Sequence, residues 1–318
     1  MKNIFLILVI TLISNSIIAQ FSVIQDGDGE TAFQLFGSNV VAINAEQTAI
    51  GFSIQPEKIT NDQHSYWTIT SSANAKKGTA SIFKGGEFQF SGKIGANIIF
   101  DKIKYPKIGS TDKINLIYNF IGLEGLYSRH NIFDATKELK EQLDVQTNLG
   151  FRVNYGWNFE NVKINNSIFK FLGEFTSGIS GSVGIKDNTD IINQVEIVTT
   201  TQSFTDGTTT RTVSSTDNAF DNAAISRSDY FARINFDFGK HLFNKRILAN
   251  LHTTYAIDEN IEPVLNPSFG IFITTKGAPL EAIVGVQIQT RDWANTRNST
   301  KSRWERSSIV LTAGFPFN

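Results

Sequence analysis

Eleven charged residues sit at positions where strand-like alternation would turn them toward one common surface. Lys93, Arg152, Lys170, Arg227, Arg233, Arg246 and Arg291 are the cations, and Glu174, Asp229, Asp237 and Glu281 are the acids. Seven cations against four acids leave an excess of three positive charges. An aqueous passage lined in this way lowers the barrier for anions. The same residues can also pair across neighbouring segments and fill a narrow interior, and the sequence leaves both readings open. His252 shares this phase with Asn250 and Thr254. A nucleophile needs a base within hydrogen-bond reach and a third group that orients the base. The hydroxyl next to His252 belongs to a threonine and not to a serine, so no enzymatic activity is expected.

Other candidate chemistry is sparse. Asp26, Asp28 and Glu30 in DGDGE alternate like the first ligands of a calcium loop, whose carboxylates converge on one hard cation. The remainder of such a loop is missing, and the expectation is a solvated N-terminal stretch without metal. His64, His130 and His241 fall in expected loops or turns and form no metal spacing. With no cysteine in the chain, disulfides, thiolate metal sites and a lipidated cysteine are all excluded. No cofactor is implied. The formal charge of −1 offers no electrostatic basis for a nucleic-acid partner.

The elements that must position these residues begin after a leader. Residues 1–19 carry a cation at Lys2, an apolar run from Ile4 to Ile13 and small polar residues before Ala19, the pattern of a secretory signal peptide cleaved near Ala19. No later stretch approaches the ~20 apolar residues of a helical membrane span. Leu149 to Phe159 instead alternates: Leu149, Phe151, Val153, Tyr155, Trp157 and Phe159 oppose Gly150, Arg152, Asn154, Gly156 and Asn158. Side chains of a strand point alternately to its two faces, so one side meets an apolar medium and the other a polar one. At about eleven residues this is the length of a tilted membrane strand.

The same alternation runs through Phe88 to Phe100, Phe169 to Ile185, Ser228 to Phe238, where Phe231 alone is out of phase, Ile247 to Ile257 and Leu280 to Gln289. Ile114 to Tyr127 is strand-like, but Glu124 falls among its apolar residues, which predicts a bulge or an early exit there. Phe269 to Ile273 and Ile309 to Phe317 complete the C-terminal half, and Thr31 to Ile43, Thr48 to Ile54 and Tyr66 to Ser72 are weaker candidates. Connections alternate long and short from the C-terminus backward, except that Asp101 to Lys113 is long for a turn. Asp134 to Asp144 is expected as a short amphipathic helix capped by Asp134. Val195 to Ser215 is expected as an external hairpin turning at Asp206 and Gly207. Strands of ten or more residues exceed the ~5 to 6 typical of a soluble β-sandwich.

The chain ends in GFPFN, with Phe315 and Phe317 on the outward phase of the last strand. This ending resembles the C-terminal aromatic signature of Gram-negative outer-membrane β-barrel proteins, although Asn318 follows the last aromatic residue. The resemblance implies an outer-membrane location, contact with outer-membrane lipid, and recognition of the C-terminal strand by the barrel-assembly machinery. The spacing of His252 and Thr254 also resembles the His and Ser spaced two apart in outer-membrane phospholipases and deacylases. The expected fold is all-β: an antiparallel transmembrane β-barrel of about twelve strands, with ten as the alternative. It would comprise a signal peptide over 1–19, an N-terminal segment over 20–45 that can supply the first strand, and the barrel over 46–318. Tyr155, Trp157, Phe159, Phe315 and Phe317 are the expected membrane-facing aromatics. The expected function is a passive channel for small polar or anionic solutes; the alternatives are a non-conducting surface scaffold or envelope-complex subunit, and a lipid-modifying enzyme third. The sequence does not address the oligomeric state.

Overall fold

The computed structural model describes residues 24–26, 28, 30–33, 39–44, 49–54, 66–74, 83–84, 87–88, 91–106, 114–163, 174–189, 191–192, 194–206, 209–274 and 282–317. The leader, Lys170, Glu281 and His64 lie outside these residues. The strands are β1 (Asn39–Asn44), β2 (Ala49–Ile54), β3 (Tyr66–Asn74), β4 (Phe83–Lys84), β5 (Glu87–Phe88), β6 (Ser91–Pro106), β7 (Ile114–Phe133), β8 (Leu143–Lys163), β9 (Glu174–Lys186), β10 (Val195–Asp206), β11 (Thr209–Asp221), β12 (Asp229–Leu242), β13 (Ile247–Asp258), β14 (Val264–Thr274), β15 (Ala282–Thr290) and β16 (Ser307–Phe317). The described residues contain no helix.

Twelve strands close into an antiparallel barrel in the order β1, β2, β3, β6, β7, β8, β9, β12, β13, β14, β15, β16. The seam is the pairing of β16 with β1, from Asn39 opposite Phe317 to Asn44 opposite Thr312. Closure leaves no unpaired edge in the wall. The remaining strands are accessory. β4 and β5 form a two-residue hairpin, so the strand expected from Phe88 starts at Ser91. β10 and β11 form the expected hairpin, which runs further than anticipated and joins the barrel where Phe220 and Asp221 lie parallel to Ile132 and Phe133 of β7.

Alternation sets what each side of the wall contains. On β13, Leu248, Asn250, His252, Thr254, Ala256 and Asp258 are buried, whereas Leu251, Tyr255 and Ile257 are exposed. On β14, Val264, Asn266, Ser268 and Thr274 are buried while Leu265, Phe269, Ile271 and Ile273 are exposed. Among the described residues the barrel is thus largely polar within and apolar without. Phe231, out of phase in the sequence, points inward between the Lys186 ammonium and the Arg233 guanidinium, each 5.3 Å from its ring centroid.

Several expectations are corrected. Glu124 requires no bulge: β7 pairs with β8 in unbroken register from Leu116 to Phe133. Glu124 is buried on the inward phase together with Tyr118 and Phe120. Tyr118, Phe120 and Ile99 form an apolar cluster inside the barrel, which is why this strand shows apolar residues on both phases. Residues 101–106 continue β6, so the connection to β7 shortens to 107–113. The segment 134–142 is a run of turns in place of a helix, with Leu139 87% exposed and so without the apolar contact a helix there would need. The Asp134 carboxylate does receive the Thr136 N–H at 3.0 Å, a local turn of the kind that starts a helix. His130 and His241 are strand residues of β7 and β12, because both strands run past their apolar stretch.

Candidate functional site within the barrel

The N-terminal stretch expected in solvent lies inside the barrel. Ile24, Gln25, Asp26, Ala32 and Phe33 are all buried. The stretch folds on itself first: Asp26 Oδ1 accepts the N–H groups of Asp28 and Glu30, each at 2.9 Å, and the Asp26 N–H donates to the Glu30 carbonyl at 2.9 Å. A short Asp side chain that bonds backbone two and four residues on is a usual way to stabilise a turn. The turn fixes the spacing at which the three carboxylates meet the wall.

Each carboxylate meets donors on the inward phase. Asp26 Oδ2 lies 3.2 Å from Gln289 Nε2, 3.4 Å from Thr254 Oγ1 and 3.5 Å from His252 Nε2. Asp28 receives Gln289 Nε2 at 3.0 Å and Arg291 Nη2 at 2.9 Å. Glu30 receives Arg152 Nη1 at 2.6 Å and Asn235 Nδ2 at 3.3 Å. Backbone is anchored as well. The Ala32 N–H donates to Asp237 Oδ2 at 2.6 Å, Asn158 Nδ2 donates to the Ala32 carbonyl at 2.7 Å, and Asn44 Nδ2 donates to the Asp26 carbonyl at 3.0 Å. Gly178 makes the approach feasible, since a Cβ there would sit 2.6 Å from Asn158 Nδ2 and 2.9 Å from the Ala32 oxygen.

The wall is itself cross-linked. Arg152 sits directly opposite Glu124 in the β7–β8 register, with Nη2 2.6 Å from Glu124 Oε2. One guanidinium therefore joins two strands and the inner segment. Asp237 accepts Asn250 Nδ2 at 2.7 Å and lies 3.0 Å from His252 Nδ1. Nε2 of the same ring lies 2.8 Å from Thr254 Oγ1, which completes a line of acid, imidazole and hydroxyl. The Thr254 hydroxyl also donates to Asn235 Oδ1 at 2.8 Å, and the Asp26 carboxylate covers both groups. Through Asp26 the line also contacts the segment.

A second charge cluster lies toward the mouth that carries the long connections. Asp258 is buried and meets Arg233 at 2.5 Å, Arg297 at 3.3 Å and Lys186 at 3.9 Å. Beside it, Asp187 accepts the Asn148 amide at 3.1 Å and the Ser128 hydroxyl, and lies 3.2 Å from His130 Nε2. This cluster ties the connection after β9 to the tops of β7 and β8.

Of the residues expected on the lumen wall, Arg152, Asp237 and His252 are buried there, and Arg233, Lys93 and Asp229 are half-buried on the inward phase. Arg291 stands at the mouth, paired with Asp28. Arg227 and Arg246 are corrected: both are exposed, one in the connection before β12 and one in the tight turn after it, where backbone reversal carries them off the wall. Glu174 begins β9, and its side chain is outside the described residues. Tyr155 and Trp157 are exposed on the outer surface with their rings edge to face at 4.7 Å, and Phe159 is half-buried. Phe315 and Phe317 lie on β16 opposite Val41 and Asn39. Sequence reasoning passed over Asn44, Asn158 and Asn235, whose only signal was their polar phase.

Fold and site together define a closed twelve-stranded antiparallel barrel whose interior receives the chain's own N-terminal segment. No protein-family model matches the chain, and no curated protein matches it either.

Proposed function

We propose that this chain is an outer-membrane barrel acting as a gated passage for small polar or anionic solutes, closed in the form described here by residues 24–33. The observation that carries this reading is the seating of three carboxylates on inward-facing donors of the wall. Exposed Ile98, Ile121, Phe151, Ile234 and Phe269 supply the outward apolar band that lipid requires. A strand such as β14, 11 residues long, rises roughly 36 Å at about 3.3 Å per residue, and tilted by about 40° it covers ~28 Å of membrane normal. Export through the leader at 1–19, contact with outer-membrane lipid, and insertion by the assembly machinery through β16 belong to the same proposal.

Planar-bilayer recording tests it. The mature protein should be nearly silent, and a variant lacking residues 20–33 should show steady single-channel steps. Steps of equal size and frequency in both would overturn the gate. A second reading, a non-conducting scaffold, is favoured by the Ile99–Tyr118–Phe120 cluster, which occupies interior space independently of the segment. Silence from both proteins would establish that reading instead.

A further inference from the structure

Resting on the gated-passage reading, we infer that the inner wall is a binding site for acidic peptide, and that residues 26–30 occupy it as a tethered stand-in for a ligand whose carboxylates recur at every second residue. The donors form a graded row. Arg291 and Gln289 receive Asp28, Gln289 and Thr254 receive Asp26, and Arg152 with Asn235 receives Glu30. Arg152 and Arg291 cannot lose their charge at any ordinary pH, so the row keeps its preference for anions when the segment leaves.

A second feature favours a peptide over a simple anion. The wall presents acceptors as well as cations to the segment, Asp237 Oδ2 taking the Ala32 N–H and the Thr31 hydroxyl, and a simple anion has no donor to give them. A peptide brings backbone N–H groups, as Ala32 already does to Asp237 at 2.6 Å. Buried polar atoms gain from such partners, whereas an unfilled acceptor is costly. The site thus offers cations for side chains and acceptors for backbone.

The full-length chain tests this, because it has no cysteine and Ala32 is 0% exposed. In an Ala32→Cys variant, the thiol reacts with an aqueous maleimide only when the segment leaves the wall. Millimolar Asp-Gly-Asp-Gly-Glu should raise the labelling rate by ~10-fold, as expected when a competitor holds the open state. Asn-Gly-Asn-Gly-Gln and citrate at matched ionic strength should leave the rate unchanged. Equal acceleration by all three, or none by the acidic peptide, overturns the site. Phe33→Cys, at a position 1% exposed, repeats the measurement should the first variant fail to show heat-modifiable migration. Selective displacement with silence from the variant lacking residues 20–33 upholds the peptide site and overturns the gated passage, while conductance of that variant without selective displacement does the reverse.

Discussion

Arg152 Nη1 lies 2.6 Å from Glu30 Oε1, a contact between the eighth strand and a residue that precedes the whole barrel in the chain. Since Arg152 also bonds Glu124, removing either acid leaves the guanidinium with one partner, and removing Arg152 leaves both carboxylates without a cation, held only by the amides of Asn154 and Asn235. Breaking a buried pair by deleting one partner costs about 3–5 kcal/mol, more than deleting an exposed one. Arg152→Gln should therefore lower the unfolding midpoint in detergent more than Glu30→Gln does. Glu30→Gln should instead open the lumen, read as conductance, with the wall intact.

Asp237 holds backbone and wall together, since it accepts from Ala32, Asn250 and Thr31 and lies against His252. Hydrogen bonds to a charged group contribute about 1.5–3 kcal/mol each. Asp237→Ala should both destabilise the barrel and free the segment. Gly178→Ala should free the segment alone, because its added methyl meets Asn158 and the Ala32 carbonyl. Limited proteolysis of the N-terminus in folded protein distinguishes the two. Gly178→Ala should be cleaved near residue 30 while it retains wild-type heat-modifiable migration.

The barrel was legible where one physical constraint repeats. Leu149 to Phe159 alternates because every second residue faces outward, and this local pattern returned the correct strand count. Glu124 was misread because Tyr118 and Phe120 share its inward phase. Its true partner is identified only by the β7–β8 register, which no single strand encodes. The segment carrying Asp26, Asp28 and Glu30 was illegible for a related reason. Apart from Asn44, its wall partners, such as Arg152, Asp237 and Gln289, are more than 100 positions away, and a turn stabilised by its own Asp has no periodicity to read. The sequence did place Arg152, Asp237 and His252 on the wall, but not the acids Glu124 and Asp258 that join them there, nor the acids of the N-terminal segment that meet them.

The connection from 291 to 306 should respond to acid. Burial opposes ionisation of Asp292, but the Thr296 and Arg297 N–H groups, the Thr296 hydroxyl and the Arg306 charge outweigh it and hold its carboxyl below the usual Asp range. A lowered folded pKa means the stabilisation is complete above the unfolded value and fades as pH falls through the folded one. The loop should loosen only in the acid range below the ordinary Asp pKa. Trp293, stacked 4.0 Å from the Arg303 guanidinium, reports this through its fluorescence. Asp292→Ala should show the loosened signal already at neutral pH and lose the acid transition.

Ile234 decides between membrane and water as the outer medium. It lies midway along β12, 49% exposed, between the outward positions of Gly181 and Tyr255 on the neighbouring strands. In water, replacing an exposed isoleucine by arginine changes stability by no more than about 0.5 kcal/mol and improves solubility. In a bilayer the same change puts a cation near the midplane and costs about 2–4 kcal/mol. Ile234→Arg should therefore reduce folding into lipid vesicles, whereas Thr300→Arg, in the exposed connection between β15 and β16, should fold as the parent does. Equal folding yields for the two variants, with Ile234→Arg soluble without detergent, would remove the lipid-facing role from the whole outward band.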